Sequence, residues 1–472
     1  MLVRRATRLA SAELLFEFSF SRFPVLKRPE WSLTDIAPAM PDHVDELERA
    51  FQQLKATIHQ QLVESLDLTR FDERNQDRLL VQIRALADRV SKTRPEILGK
   101  LDRERLLDEL LAEIFGLGPL ESLMQDPSIT DILVNGPYTV YIERRGRLEL
   151  TNILFADDEH LLRIIRRLVA RLGRRIDEVS PMVDARLPDG SRVNAVIPPI
   201  ALDGPTVSIR RFGAKPLEMD DLLANQSIMP EMVEFMDAAV AGRVGCLISG
   251  GTGAGKTTLL NALSAAIPGD ERLVTIEDSA ELILQHRHRV RMETRPANTE
   301  GSGELSQRDL VRNSLRMRPD RIIVGEVRGS EVWDMLQAMN TGHEGSMTTI
   351  HANSAVDALA RLEMMVAMTG YELPIGVVRQ YIASGITLIV HAARLKGGRR
   401  RVMRVAEITG VRDGAYVMND IFGFRQTGVN DDGMAVGSFY TTGYRPQCLE
   451  RIEYSGIHLP EAMFEKSERE VI

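Results

Sequence analysis

Eight consecutive residues constrain the fold more than any others: Gly250-Gly251-Thr252-Gly253-Ala254-Gly255-Lys256-Thr257. The apolar run Cys246-Leu247-Ile248 precedes them, and Thr258-Leu259-Leu260-Asn261-Ala262-Leu263 follows with a helical pattern. Strand, glycine-rich loop and helix N-terminus in this order make a phosphate cradle. Glycines let backbone N–H groups converge on phosphate oxygens without Cβ clashes, and the helix N-terminus adds the positive end of its dipole. Gly251, Thr252, Gly253, Ala254, Gly255, Lys256, Thr257 and Thr258 are therefore expected to hold a nucleotide. Lys256 is expected at the β- and γ-phosphates and Thr257 on Mg2+. No Asn-Lys-x-Asp guanine-reading motif occurs, so ATP is the expected ligand.

Two further apolar runs end in carboxylates. Leu273-Val274-Thr275-Ile276 leads into Glu277, Asp278 and Glu281, and Arg321-Ile322-Ile323-Val324-Gly325 leads into Glu326. Ligands of a parallel sheet sit at the carboxyl ends of its strands, so Glu277, Glu281 and Glu326 are expected to converge beside the loop. Phosphoryl transfer to water needs Mg2+ held in place and a carboxylate to orient or deprotonate the water, which such strand ends supply. The metal is expected on Thr257 and on Glu326, directly or through water. His343 and His351 stand out among only nine histidines. A structural role is the common fate of one histidine; hydrogen bonding to a γ-phosphate is the functional alternative. Zinc is a poor reading, because Cys246 and Cys448 are the only cysteines and lie far from both.

The 472 residues predict two or three domains, and the net charge of −8 disfavours specific nucleic-acid binding as the main task. No apolar stretch approaches the roughly 20 residues needed to span a bilayer. Residues 1–40, punctuated by Pro24, Pro29 and Pro38, read as a flexible tail. Helical spacing marks a module over 41–118: Leu47, Phe51, Leu54, Ile58 and Leu62, then Leu80, Ile83, Leu86 and Val90, then Leu107, Leu110, Leu111 and Ile114. A small α/β domain over 119–212 follows, with strands around Asn135-Gly136-Pro137, an arginine-rich helix from Leu161, the turn Pro188-Asp189-Gly190 and a closing strand at Val207-Ser208-Ile209. Residues 213–230 read as a linker, 231–445 as the larger α/β domain and 446–472 as a C-terminal tail.

The four blocks Gly250–Thr258, Thr275–Leu282, Ile322–Arg328 and Thr341–Asn353 together resemble the Walker A, Asp, Walker B and His boxes of the secretion ATPase superfamily, which powers type II secretion, type IV pili and type IV secretion. Ile129–Gly136 and Val183–Asn194 are similar to the Tad/Flp pilus branch. The resemblance implies a RecA-like P-loop core, a PAS-like N-terminal α/β domain and an N-terminal helical module. It makes Glu281 the catalytic glutamate, with Glu326, Glu277 and Lys256 beside it. It places His343 and His351 at the nucleotide and gives Arg186, Arg192, Arg210 and Arg211 as the arginines that clamp phosphates from the N-terminal domain. It further implies a hexameric motor on the cytoplasmic face of the inner membrane, hydrolysing ATP with Mg2+ and acting on a membrane platform protein to assemble, and in some systems retract, a pilus. Alternatives are a related ATPase of type II or type IV secretion, or a nucleotide-gated scaffold without turnover.

Overall fold

The computed structural model describes residues 100–472, apart from 145, 212–215, 296, 298–301 and 472, together with helical positions 51, 54, 55, 58, 81, 84, 85 and 89. The expectations for 1–40, and for Leu47, Leu62, Leu80, Ile83, Leu86 and Val90, lie outside the described residues.

A helix over Lys100–Phe115 stops ahead of Gly116 and Gly118, as the sequence predicts. Phe51 and Ile58 are buried, and Lys55 pairs with Glu109 of this helix at 2.8 Å. The helix is fixed to the next domain through His160, whose Nδ1 accepts the Ala156 N–H, leaving Nε2 to meet Glu113 at 3.0 Å.

The N-terminal domain is a six-stranded antiparallel sheet: β1 Ile129–Asn135, β2 Val140–Arg144, β3 Arg147–Leu150, β4 Met182–Arg186, β5 Arg192–Val196 and β6 Thr206–Arg210, ordered β3-β2-β1-β6-β5-β4. β6 therefore lies inside the sheet, not at its close. The helix Asp158–Arg171 lays Leu161, Ile164, Ile165, Leu168 and Val169 on one sheet face against Ile132, Val193 and Ile209. Its spacing of three and four leaves Arg163, Arg166 and Arg171 exposed, while Arg167 donates to the carbonyls of Glu113 and Gly116, and Asp157 caps its start by accepting the His160 N–H.

The larger domain is built on a ten-stranded sheet. Its parallel half holds β7 Cys246–Gly250, β8 Leu273–Glu277, β9 Arg289–Glu293, β10 Arg321–Val327, β11 Met347–His351 and β12 Leu388–Arg394. The antiparallel half holds β13 Arg400–Arg412, β14 Ala415–Val429, β15 Ala435–Thr441 and β16 Ser467–Val471, giving the order β16-β15-β14-β13-β12-β7-β11-β10-β8-β9. All five residues of β7 and of β8 are buried, as strands covered on both faces require. This is the RecA-like arrangement the sequence implies.

Two boundaries need correction. Residues 446–472 are not a tail: the helix Leu449–Tyr454 packs on the core, with Leu449, Ile452, Met463 and Phe464 buried against Phe235 and Phe422, and β16 adds an edge strand beside β15. The signal was weak because these apolar residues are scattered among charges. Residues 213–230 are not only a linker: a helix spans Met219–Ala224, its first turn closed by Glu218 and Asp221, and Leu222, Ile228 and Met229 are buried.

Candidate active site

The phosphate loop leaves β7 and returns as the helix Lys256–Leu263, with Gly253 and Gly255 at φ +69° and +93°. Side-chain-bearing residues rarely adopt these angles, which is why glycines occupy both positions. Lys256 Nζ lies 3.4 Å from Gly251 O and 3.6 Å from Glu326 Oε1. Burial pulls its pKa below the ordinary lysine value, while Glu326 works to restore it.

The carboxylates converge as predicted. Thr257, Glu277, Asp278, Glu281, Gln307, Glu326, Arg328 and Arg192 line one cleft at the carboxyl ends of β7, β8 and β10. The β10–β11 register slips between Val324 and Val327, and Glu326 lies within this bulge. Arg328 donates to Glu326 Oε2 at 2.6 and 3.0 Å and to Asp278 Oδ2 at 3.3 Å. Burial raises the pKa of Glu326, but the Arg328 hydrogen bonds, Lys256 and His351 more than offset this and hold it below the usual value. Glu326 is thus ionised at neutral pH.

Glu277 differs. Its Oε2 accepts the N–H groups of Glu281 and Leu282, both at 2.7 Å, and so fixes the loop that carries Glu281. Its Oε1 is buried without a hydrogen-bond partner, and burial pushes its pKa up to about 7. A Cβ on residue 325 would stand 3.0 Å from Glu277 Cγ, so Gly325 gives that carboxylate its room. A folded-state pKa above the unfolded value of 4.5 means the folded protein keeps a proton the unfolded chain has lost. Stability then falls as pH rises from about 4.5 to about 7, by up to about 3 kcal/mol. Glu277→Gln is expected to flatten that slope, so that above pH 7 the variant melts higher than the parent; thermal melts between pH 5 and 8 check it, and identical slopes would contradict it.

The N-terminal domain contributes a charged row. Arg186 pairs with Arg192 across β4 and β5, Arg192 with Arg210, Arg210 with Asp131, and Asp131 with Glu143. Residues opposite one another on adjacent strands share a face, so the row points one way, toward the larger domain. Arg192 reaches Glu281 at 3.1 Å, and Arg186 donates to Ala280 O at 2.7 Å and lies 3.4 Å from Glu293. Arg210 pairs with Asp131 at 3.3 Å and is near enough to Lys256 to depress its pKa.

Arg211 and His343 are not brought to the cleft. Arg211 is one residue beyond the row, so the period of two turns it away, to the carbonyls of Asp126 and Ile129. His351 closes β11 opposite Gly250. His343 precedes β11, among groups at the other ends of the strands, where its carbonyl accepts from Ser346 and its Nδ1 is buried without a partner. Five strand residues separate the two histidines' ends of the sheet, more than 10 Å at about 3.3 Å each. Sequence reasoning missed Arg394 and Arg400: a β12–β13 hairpin places both beside Gly253, and only sheet pairing brings them there.

Thr257 and Glu326 in one cleft fit Mg2+, which takes one or two protein ligands and completes its shell with phosphate oxygens and water. Among the described residues no group of three or more His, Cys, Asp or Glu side chains suits a metal held by protein alone, and no helix is long and apolar enough to cross a membrane.

Comparison with known proteins gives the family. The "Type II/IV secretion system protein" domain matches residues 113–410. A putative conjugal transfer protein of Mycobacterium tuberculosis is 40% identical over 316 residues, 66% of this chain and 89% of that protein. The type IV secretion system protein VirB11 of Brucella suis is 32% identical over 304 residues, 59% and 84% of the two chains. The crystal structure of the Brucella suis VirB11 ATPase with sulphate is 30% identical and covers 62% of this chain and 97% of that one, at a TM-score of 0.34. With the phosphate loop, strand-end carboxylates and arginine row in place, the chain belongs to the type II/IV secretion system protein family and is an ATPase of that family.

Proposed function

We propose that this chain is a hexameric, membrane-peripheral motor on the cytoplasmic face of the inner membrane, and that its ATP hydrolysis drives assembly of a Tad/Flp-type pilus through membrane platform proteins. The observation that carries the motor reading is the split site: Arg192 of one domain meets Glu281 of the other across the cleft, at 3.1 Å. ATP entering that cleft takes over Arg192, Arg186 and Arg210 as phosphate partners and draws the domains together. Loss of the γ-phosphate returns the arginines to Glu281 and Ala280 and lets the domains part.

Gly251–Thr258 hold the phosphates, and Lys256 turns from Gly251 O to the β- and γ-oxygens. Mg2+ held by Thr257 and, through water, by Glu326 supplies charge neutralisation of the leaving phosphates. Glu281 and Glu326 orient and deprotonate the attacking water, with Glu277 holding the Glu281 loop. His351, opposite Gly250, is placed to hydrogen-bond a γ-phosphate. The base fits the pocket formed by Leu217, Leu222, Ile228, Ala254 and Leu259 beside the loop. A purine there stacks on apolar side chains while its phosphates point at Gly255 and Thr258.

The names of the relatives favour a second reading, a motor of type IV secretion or conjugal transfer. A strain carrying Lys256→Ala, scored for surface pili, exported protein and transferred DNA, separates the two. Loss of pili with intact export supports the first reading; normal pili with lost export or transfer supports the second.

A further inference from the structure

We propose that Arg394 is a positioning residue that ties the state of the phosphate loop to the position of the N-terminal domain. The inference rests on the reading of Gly250–Thr257 as the ATP site. Arg394 ends β12, which runs beside β7 with Ala392 opposite Gly250, so its backbone is anchored to the strand that launches the loop. Its two terminal nitrogens face different partners. Nη1 stands 3.4 Å from where a Cβ on Gly253 would be, against the loop itself. Nη2 donates to the carbonyl of Gly146, in the β2–β3 turn of the N-terminal domain, and lies 3.5 Å from Glu143 Oε1.

Glu143 is no isolated partner. It continues the row that carries Asp131, Arg210, Arg192 and Arg186, the face turned to the nucleotide cleft. A pull on Glu143 and Gly146 is therefore a pull on the sheet that presents the clamping arginines. On the other side of the hairpin, Arg400 lies opposite Arg394 and donates its Nε to Gly253 O at 2.8 Å. Arg400 thus holds the loop to the hairpin, and Arg394 holds the hairpin to the N-terminal domain.

Phosphates entering the cradle reset the peptide groups around Gly253. A planar guanidinium transmits that shift, because its nitrogens cannot move independently; a lysine ammonium is a single point and cannot hold two partners in fixed relation. The side chain is one-third exposed, so its pairing with Glu143 adds little to folding stability, and its consequence is geometric.

The test uses the full chain carrying Glu178→Cys and Glu372→Cys, both exposed and in different domains, labelled as a dye pair; the native Cys246 and Cys448 are buried. A non-hydrolysable ATP analogue with Mg2+ is expected to change the dye distance in the parent. Arg394→Ala and Arg394→Lys are expected to bind the analogue within about threefold of the parent. Both are expected to lose the distance change and to lower kcat about tenfold or more at nearly constant KM. Glu143→Gln is expected to act in the same direction and to add little to Arg394→Ala, since both break one link. Survival of the distance change in Arg394→Ala, a fall in analogue affinity as large as the fall in kcat, or full additivity of the two substitutions would overturn the proposal. Failure of the parent to bind the analogue would instead overturn the ATP reading.

Discussion

Glu326→Gln is expected to leave ATP bound and to reduce its turnover by at least about a hundredfold. The substitution keeps the shape of the side chain and removes its charge. Glu326 stands at the bulge of β10, 3.6 Å from Lys256 and in the cleft lined by Thr257. Arg328 holds it ionised, the state needed to accept a proton from water or to face a hydrated cation. Glu277 is committed elsewhere, because one of its oxygens accepts the N–H groups of Glu281 and Leu282 and the other is buried. Lys256→Ala is expected to fail differently, losing nucleotide affinity as well as turnover, since the lysine contacts phosphate in the ground state too. Phosphate release and binding of a fluorescent ATP analogue, measured on both variants, check the split. Full turnover in Glu326→Gln would remove the hydrolytic mechanism; intact binding in Lys256→Ala would remove the role of the loop lysine.

Phe464→Ala is expected to destabilise the larger domain by about 3–5 kcal/mol, the usual range for emptying a buried phenylalanine site. Phe464 is 5% exposed, and its ring centre lies 5.9 Å from that of Phe235 and 6.1 Å from that of Phe422. Those two rings come from the helix Pro230–Ala241 and from β14, so Phe464 fastens its segment to elements about 190 residues apart in sequence. At a few degrees per kcal/mol, the melting temperature falls by roughly 10 °C. Phe464→Leu, which leaves a smaller void, is expected to cost less. A calorimetric melt that leaves Phe464→Ala unchanged would return residues 446–472 to the status of a tail.

What the sequence determined depends on near neighbours. The phosphate loop was legible because strand, glycines, lysine and helix are contiguous, and the conformations at Gly253 and Gly255 are local properties of glycine. Strand-end carboxylates were legible because a buried parallel strand is a continuous apolar run whose polar end is visible. Even the arginine row was half visible, since the turn Pro188-Asp189-Gly190 forces Arg186 and Arg192 to face one another.

The tertiary structure decided which of these residues meet. Arg210 and Arg211 are adjacent in sequence and indistinguishable there; the pleat sends one to the cleft and the other to the back of its own sheet. His343 and His351 sit in one motif, yet β11 carries them to opposite ends of the sheet. Arg394 and Arg400 lie about 140 residues from the loop they touch, and only the pairing of β12 with β7 brings them to it. Glu277 and Glu326 are both carboxylates at strand ends, and burial beside Gly325 in one case and pairing with Arg328 in the other shift their pKa values in opposite directions. Residue type and spacing are written in the chain, whereas sidedness, burial and long-range strand order are set only when the two sheets close over the cleft.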